Sequence, residues 1–91
     1  MDAAREAARR GLLKLMLRLP SFRGQLQLLW QSDTSLEALC EAYEDATATL
    51  ERLMRKSGVG EEGLADEYRS VCLELESDVR NRCLSRATRS R

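Results

Sequence analysis

The sequence contains no histidine, the side chain that most often acts as a general base and as a metal ligand. Without a histidine, serine, threonine and cysteine side chains lack their usual activating base. The three cysteines contain no Cys-x-x-Cys pair and cannot complete an ordinary zinc site on their own. No lysine follows the glycines at 58 and 60, so they do not form a phosphate-binding loop. These absences predict a protein that is not an enzyme and that uses no metal and no cofactor.

Cysteine use and hydropathy predict a cytoplasmic protein. Three cysteines are an odd number, and Cys40 and Cys72 fall at apolar positions of helical patterns, where a thiol acts as a small hydrophobic group. Unpaired thiols are typical of a reducing compartment. The N-terminal region resembles neither a secretory signal nor a membrane span, because Lys14 and Arg18 interrupt a short apolar run.

The chain has only one proline and four aromatic residues, and it shows almost no alternating strand pattern. Its 91 residues are enough for one domain. We therefore predict a single all-α domain over residues 1–84. The formal net charge is zero, but residues 32–79 hold thirteen acidic and four basic residues, whereas both ends of the chain are basic.

Residues 34–84 carry the clearest pattern, that of an antiparallel helical hairpin with helices at about 34–57 and 63–84. Apolar residues follow one another at gaps of three and four, which predicts one continuous packing face on each helix. The short break around Gly58 and Gly60 favours an antiparallel return. The face is formed by Leu36, Leu39, Tyr43, Ala46, Leu50 and Leu53, and then by Ala65, Tyr68, Cys72, Leu75 and Val79.

Two details of the hairpin can be predicted from local patterns. Thr34 and Glu37 have the spacing of a capping box, in which the threonine hydroxyl caps the first helix. The acidic clusters, at Glu41, Glu44 and Asp45 and at Glu74, Glu76 and Asp78, are interpreted as solvated faces, since they lack apolar neighbours that would raise a pKa.

Residues 1–19 form a basic amphipathic helix, and three interpretations of it remain open. It could pack over the hairpin as a third helix. It could lie on an anionic membrane surface through residues 9–19 or dock in the groove of a partner. It could also be an arginine-rich targeting sequence, although Asp2 and Glu6 argue against this.

Pro20 should end this first helix, and Ser21 could cap a short helix over residues 21–31. Phe22, Leu26 and Trp30 share one face of this segment. They either plug the open end of the hairpin or anchor an interface with another protein, since large aromatic side chains dominate binding hot spots.

Residues 85–91 contain no large apolar side chain, which predicts a disordered basic tail. Arg86, Arg89 and Arg91 are candidate contacts to phosphate groups of a nucleic acid. The acidic middle of the chain would repel a duplex, which argues against this role.

The segments LWQSD, LEALCEAYEDATATLERL and EYRSVCLELESDV, within residues 28–79, resemble short helical-hairpin proteins of proteobacteria that have no assigned function. The resemblance rests mainly on residues 39–43, Leu-Cys-Glu-Ala-Tyr, and on Glu67-Tyr68. It implies a bacterial, cytoplasmic origin and no activity.

The preferred hypothesis is a small interaction or adaptor protein that acts through apolar helix faces, either alone or as a homodimer in a four-helix bundle. The alternatives are a regulator that contacts nucleic acid through its basic ends and a protein that attaches to a membrane surface through residues 9–19. The candidate interface residues are Phe22, Leu26, Trp30, Leu39, Tyr43, Leu50, Tyr68 and Leu75.

Overall fold

The structure, a computed structural model, describes residues 3–56 and 62–89, with the side chains of residues 62 and 86–89 left out. These residues form four α-helices and one short 3₁₀ turn, and no strand lies within them. The all-α prediction is therefore confirmed. The elements are α1 (Ala3–Arg18), a 3₁₀ turn (Pro20–Phe22), α2 (Arg23–Trp30), α3 (Thr34–Lys56) and α4 (Glu62–Arg89).

Helices α3 and α4 form the predicted antiparallel hairpin. Asp33, just before α3, contacts Arg82 late in α4, and Tyr43 in the middle of α3 contacts Glu76 earlier in α4. The order of contacts is thus reversed along the two helices. The packing face is largely the predicted one. Its fully or nearly buried members are Leu36, Tyr43, Ala46, Ala65, Cys72 and Val79.

Helix α1 packs on α3 and runs parallel to it, since Arg5 pairs with Glu37 and Arg10 with Glu44. Its buried side consists of Ala8, Gly11, Leu12, Leu15 and Met16. The two backbones lie very close at Gly11, where an added Cβ atom would lie 1.9 Å from the carbonyl oxygen of Cys40. The structure therefore matches the first interpretation of residues 1–19, a helix that packs over the hairpin.

The turn between α1 and α2 differs in detail from the prediction. Helix α1 ends at Arg18, and Leu19 has φ −125° and ψ 65° before Pro20, as expected for a residue that precedes proline. Ser21 does not cap α2. It lies inside the 3₁₀ turn, and Phe22 occupies the position before α2 without a side-chain cap. The proline fixes a tight turn first, so the helix begins only at Arg23.

The N-terminus of α3 is capped by Asp33, not by Thr34 as the capping-box pattern predicted. The Oδ1 atom of Asp33 accepts hydrogen bonds from the backbone N–H groups of Ser35 at 2.9 Å and Leu36 at 3.2 Å. Its Oδ2 atom accepts a hydrogen bond from Nη1 of Arg82 at 3.1 Å. A carboxylate is favoured over a hydroxyl here because it also interacts with the positive end of the helix dipole and with a cation.

We expect Asp33→Ala to lower the free energy of unfolding by about 1–2 kcal/mol, because it removes the cap and leaves Arg82 without its carboxylate. Thr34→Ala, one residue further on, should change stability by less than about 0.5 kcal/mol. Urea unfolding followed by circular dichroism measures both. A larger loss for Thr34→Ala would restore the capping-box interpretation.

Helix α4 continues to Arg89, five residues beyond its predicted end at residue 84. Residues 85–89 are therefore helical and not a disordered tail. The segment contains no glycine or proline, and adding residues to an existing helix is far easier than starting a new one. Residues 90 and 91 lie outside the described residues.

Candidate interaction surface

The side of α3 that faces α1 is electrostatically matched. Every cation on this side comes from α1, and the carboxylates come from α3. Arg5 lies 3.4 Å from Glu37, and Arg10 and Lys14 lie 3.2 and 2.9 Å from Glu44. Lys14 also donates a hydrogen bond to the Thr47 hydroxyl at 2.8 Å. Helix α1 therefore covers this side of the hairpin and neutralises its carboxylates.

Glu44 should make stability depend on acid pH. Burial raises its pKa, but the hydrogen bonds and charges of Lys14 and Arg10 outweigh burial and hold the pKa below its ordinary value. A carboxyl whose pKa is lower in the folded chain stabilises it above the unfolded-state pKa, and this contribution is lost as the pH falls through the folded-state pKa. We expect Glu44→Gln to flatten the loss of stability below about pH 5 in urea titrations. An unchanged pH profile would contradict this assignment.

A buried carboxylate links α4 to both other long helices. The Glu76 side chain is only 8% exposed. Its Oε2 atom accepts a hydrogen bond from the Tyr43 hydroxyl at 2.5 Å and one from Nε of Arg18 at 3.2 Å. Burial, followed by the hydrogen bond to Glu76, raises the pKa of Tyr43. The interpretation of Glu44 and Glu76 as solvated acidic residues was wrong, because cations and a phenol brought by other helices satisfy them.

All three cysteines are buried as free thiols. Burial raises the pKa of each, with the charge of Glu37 adding to the shift for Cys40, whose pKa is raised to about 12. Because the thiolate is the reactive form, these cysteines act as core residues. The described residues contain no cluster of three His, Cys, Asp or Glu side chains able to hold a metal ion.

A groove of about 320 Å³ lies between the three long helices. It is lined by Arg18 of α1, by Tyr43, Thr47 and Leu50 of α3, and by Arg69, Cys72, Leu73 and Glu76 of α4. Its arginines already have carboxylate partners, Glu76 for Arg18 and Asp66 for Arg69. Because Arg18 of α1 lines the same groove as Arg69 and Leu73, these two residues lie on the side of α4 nearest to α1.

The opposite side of α4 has an apolar row whose outer side no helix of the described residues covers, although two of its members, Tyr68 and Leu75, pack against the core. Cys72 and Val79 are buried and mark the direction of α3. At 3.6 residues per turn, Tyr68 and Leu75 lie to one side of this direction, and Arg69 and Leu73 lie to the other. The row therefore points away from α1. Tyr68 and Leu75 are half-buried, whereas Leu64 and Val71 in the same row are 43% and 40% exposed.

Helix α3 contributes a second row to the same side of the hairpin. Glu44 and Thr47 face α1, and the same periodicity places Leu39, Ala46 and Leu53 on the other side of α3. We use the term uncovered face for the surface formed by both rows, which consists of Leu39, Ala42 and Leu53 together with Leu64, Tyr68, Val71 and Leu75. Ala46, on the same side of α3, is buried and is not part of it.

The uncovered face continues into an open concavity of about 690 Å³ at the N-terminal end of α3. Leu39 belongs to both. The concavity is also lined by Ser35 and Ala38 of α3, by Asp78, Asn81 and Ser85 of α4, and by the ion pair of Asp33 and Arg82. The surface thus runs along most of the hairpin, from an apolar end at Leu53 and Leu64 to a polar end at Asp78.

The uncovered face is bordered by carboxylates that have no cation. Glu67, Glu74 and Asp78 follow the outer edge of the α4 row, and Asp45 lies on the outer edge of the α3 row. Within the described part of the chain, none of these four takes part in an ion pair. The only basic residues on the outer edge of α3 are Arg52 and Lys56, near the loop end. The border along α4 is therefore acidic from residue 67 to residue 78, and Arg82, which pairs with Asp33, follows at its polar end.

The structure separates the eight residues predicted as an interface. Leu26 and Tyr43 are buried in the core, Phe22 and Trp30 pack against it beside α1, and Leu50 lines the groove between the helices. Trp30 is covered by the Arg5 guanidinium, 5.4 Å from its ring centre. Leu39, Tyr68 and Leu75 lie on the uncovered face. The backbones of Arg86 and Arg89 are helical, but their side chains and Arg91 lie outside the described residues.

Gly11, Leu64 and Val71 are not among the predicted interface residues. Gly11 lies at the contact between α1 and α3, whereas Leu64 and Val71, which flank the packing face of the second helix in the sequence pattern, lie on the uncovered face. Gly11 follows Ala4 and Ala7 at the small-residue spacing that permits close helix contact, a signal that was available. Leu64 and Val71 complete a 64, 68, 71, 75 pattern at gaps of four and three. Only the position of α1 shows that this row is left without a partner.

None of the helices in the described ranges combines the length and the apolar composition that crossing a membrane requires. The chain matches no protein-family model, and neither a curated protein nor a solved structure is significantly similar to it. The resemblance to proteobacterial hairpin proteins therefore stays a prediction.

Proposed function

We propose that the protein is a small, non-enzymatic, cytoplasmic interaction module that binds another protein chain along its uncovered face. One observation carries the proposal: Leu64, Tyr68, Val71 and Leu75 form a helical row, half of it more than a third exposed, that no helix of the described chain covers. Apolar surface of this kind on a small monomer is typical of binding sites. A row with gaps of three and four residues suits a helix laid along the hairpin.

The position of α1 also determines which surface a homodimer could use. Tyr43 and Cys72, which the predicted dimer would bury between two hairpins, are already buried within one chain. We propose that a second copy, in a homodimer, would also use the uncovered face. The membrane alternative is less favoured, because Leu12, Leu15, Met16 and Leu19 of the 9–19 segment face the core, and the exposed leucines of this segment are Leu13 and Leu17.

The test compares two positions on α4 that face in different directions. A photocrosslinking amino acid at Val71, on the uncovered face, should yield an adduct in cells that express the protein, and one at Leu73, which is 60% exposed on the other side, should not. In a second experiment the crosslinking amino acid is placed at position 64, and Val71→Asp should then abolish the adduct. The substitution should change the free energy of unfolding by less than about 1 kcal/mol. Equal adducts at both positions, or none at Val71, would contradict the proposal.

A further inference from the structure

We infer that the occupant of the uncovered face is a cationic amphipathic helix of a partner protein. This inference rests on the proposed function, since it specifies the chemistry of the chain that binds there. It is drawn from the charges that border the face and from the way in which the same hairpin already holds a basic helix on its other side.

Helix α1 shows what kind of helix this hairpin accommodates. It brings Arg5, Arg10 and Lys14 to the edge of its contact with α3, where they neutralise Glu37 and Glu44. Its apolar residues Leu12 and Leu15 fill the space between these charges and the core. Across this contact, cations on the added helix meet carboxylates on the hairpin.

The uncovered face also combines an apolar row with carboxylates along its edge, but no helix of the described residues lies on it. Leu64, Tyr68, Val71 and Leu75 supply the apolar row, and Glu67, Glu74 and Asp78 follow its outer edge without an ion-pair partner among the described residues. Residues 67, 74 and 78 are separated by seven and by four positions, so they recur on one edge of the helix. A helix with lysine or arginine at the matching flanking positions would neutralise them, as α1 does for Glu44.

A second copy of this chain fits the face less well. In a two-fold pairing of α4 with α4, the acidic edge would meet its own copy, and like charges across an interface oppose association. The basic helix of the second copy is not free to replace it, because Ala8 and Leu15 on the apolar side of α1 are fully buried within its own chain.

The experiment uses two synthetic 21-residue peptides that differ only in flanking charge. Both carry leucine at the a and d positions of three heptads, one with lysine and the other with glutamate at e and g. Fluorescence anisotropy measures the binding of each labelled peptide to the full chain. We expect the lysine peptide to bind at least about tenfold more tightly, since each exposed charge pair changes affinity by up to roughly fivefold. The preference should shrink as salt is added.

Two double variants with equal charge change complete the design. Glu74→Lys with Asp78→Lys should abolish or reverse the preference for the lysine peptide. Glu6→Lys with Glu51→Lys, at exposed positions away from the face, should leave it unchanged. Thermal unfolding of both variants checks that the fold is retained.

The possible outcomes separate the two proposals. If both peptides bind equally, the face takes a helix but the charge inference is wrong. If neither binds while position 71 still crosslinks to another protein, the proposed function stands and the cationic partner is excluded. A crosslink from position 71 to a second copy of this chain would also overturn the inference.

Discussion

Replacing Gly11 with alanine is expected to lower the free energy of unfolding by about 2 kcal/mol or more, a loss typical of overpacked cores. The added methyl group would lie 1.9 Å from the backbone carbonyl oxygen of Cys40. This oxygen belongs to the backbone of the second turn of α3 and cannot rotate away, so the two helices would have to separate. The separation would disturb the packing of Leu12 and Leu15 as well.

The sign of this effect is informative, because the same substitution in a helix ordinarily stabilises by about 0.5–1 kcal/mol. Gly24 in α2 is the matched control, since an added Cβ atom there meets no atom within 4 Å. We therefore expect Gly24→Ala to raise the midpoint of thermal unfolding by a few degrees and Gly11→Ala to lower it by on the order of 10 °C. Effects of the same sign would mean that α1 does not cross α3 at this point.

The second large effect is expected at Glu76. Glu76→Leu should lower the free energy of unfolding by about 2–3 kcal/mol, because it leaves the buried Tyr43 hydroxyl without an acceptor. Most of this loss comes from the hydroxyl that remains, since Arg18 is 60% exposed and can be hydrated instead. Tyr43→Phe in the Glu76→Leu background should therefore recover most of the stability.

A double-mutant cycle measures the coupling directly. The single variants Tyr43→Phe and Glu76→Leu and the double variant, unfolded in urea, should give an interaction energy of about 1–2 kcal/mol. Arg69→Ala, which removes an exposed ion pair within α4, should change stability by less than about 0.5 kcal/mol. Additive effects at positions 43 and 76 would show that the hydroxyl finds another acceptor.

The hairpin was predicted well because helical spacing and helix ends are determined by residues that are close together in the sequence. The spacing from Leu36 to Leu53 and from Ala65 to Val79 follows the helical period, and Pro20 ended α1 as steric rules require. The start of α2 and the end of α4 were predicted wrongly for local reasons, whereas the cap of α3 and the surroundings of Glu44 and Glu76 depend on neighbours remote in the chain. Whether Asp33 or Thr34 caps α3 is decided partly by Arg82, 49 residues away.

The candidate surface could be predicted only in part, for a related reason. Leu39, Tyr68 and Leu75 were identified as interface residues from their periodicity. The same periodicity selected Tyr43 and Leu26, which the chain buries itself. Apolar residues that pack inside the chain and apolar residues that bind a partner have the same spacing in the sequence. They differ only in whether another helix of the chain, here α1, lies over them.

The parallel alignment of α1 with α3 has a consequence for the order of folding. The contacts that hold α1 join residues 32 to 34 positions apart, so docking α1 closes a long loop, which is entropically unfavourable and slows folding. In the antiparallel hairpin, by contrast, α3 ends at Lys56 and α4 begins at Glu62. Pairing of the two helices can therefore start from ends that are close in sequence and proceed toward the more distant contacts. We therefore expect the hairpin to form before α1 docks, and α1 to be the first long helix to detach during native-state opening. Its detachment would uncover Cys40, whose thiol would then report on the opening rate.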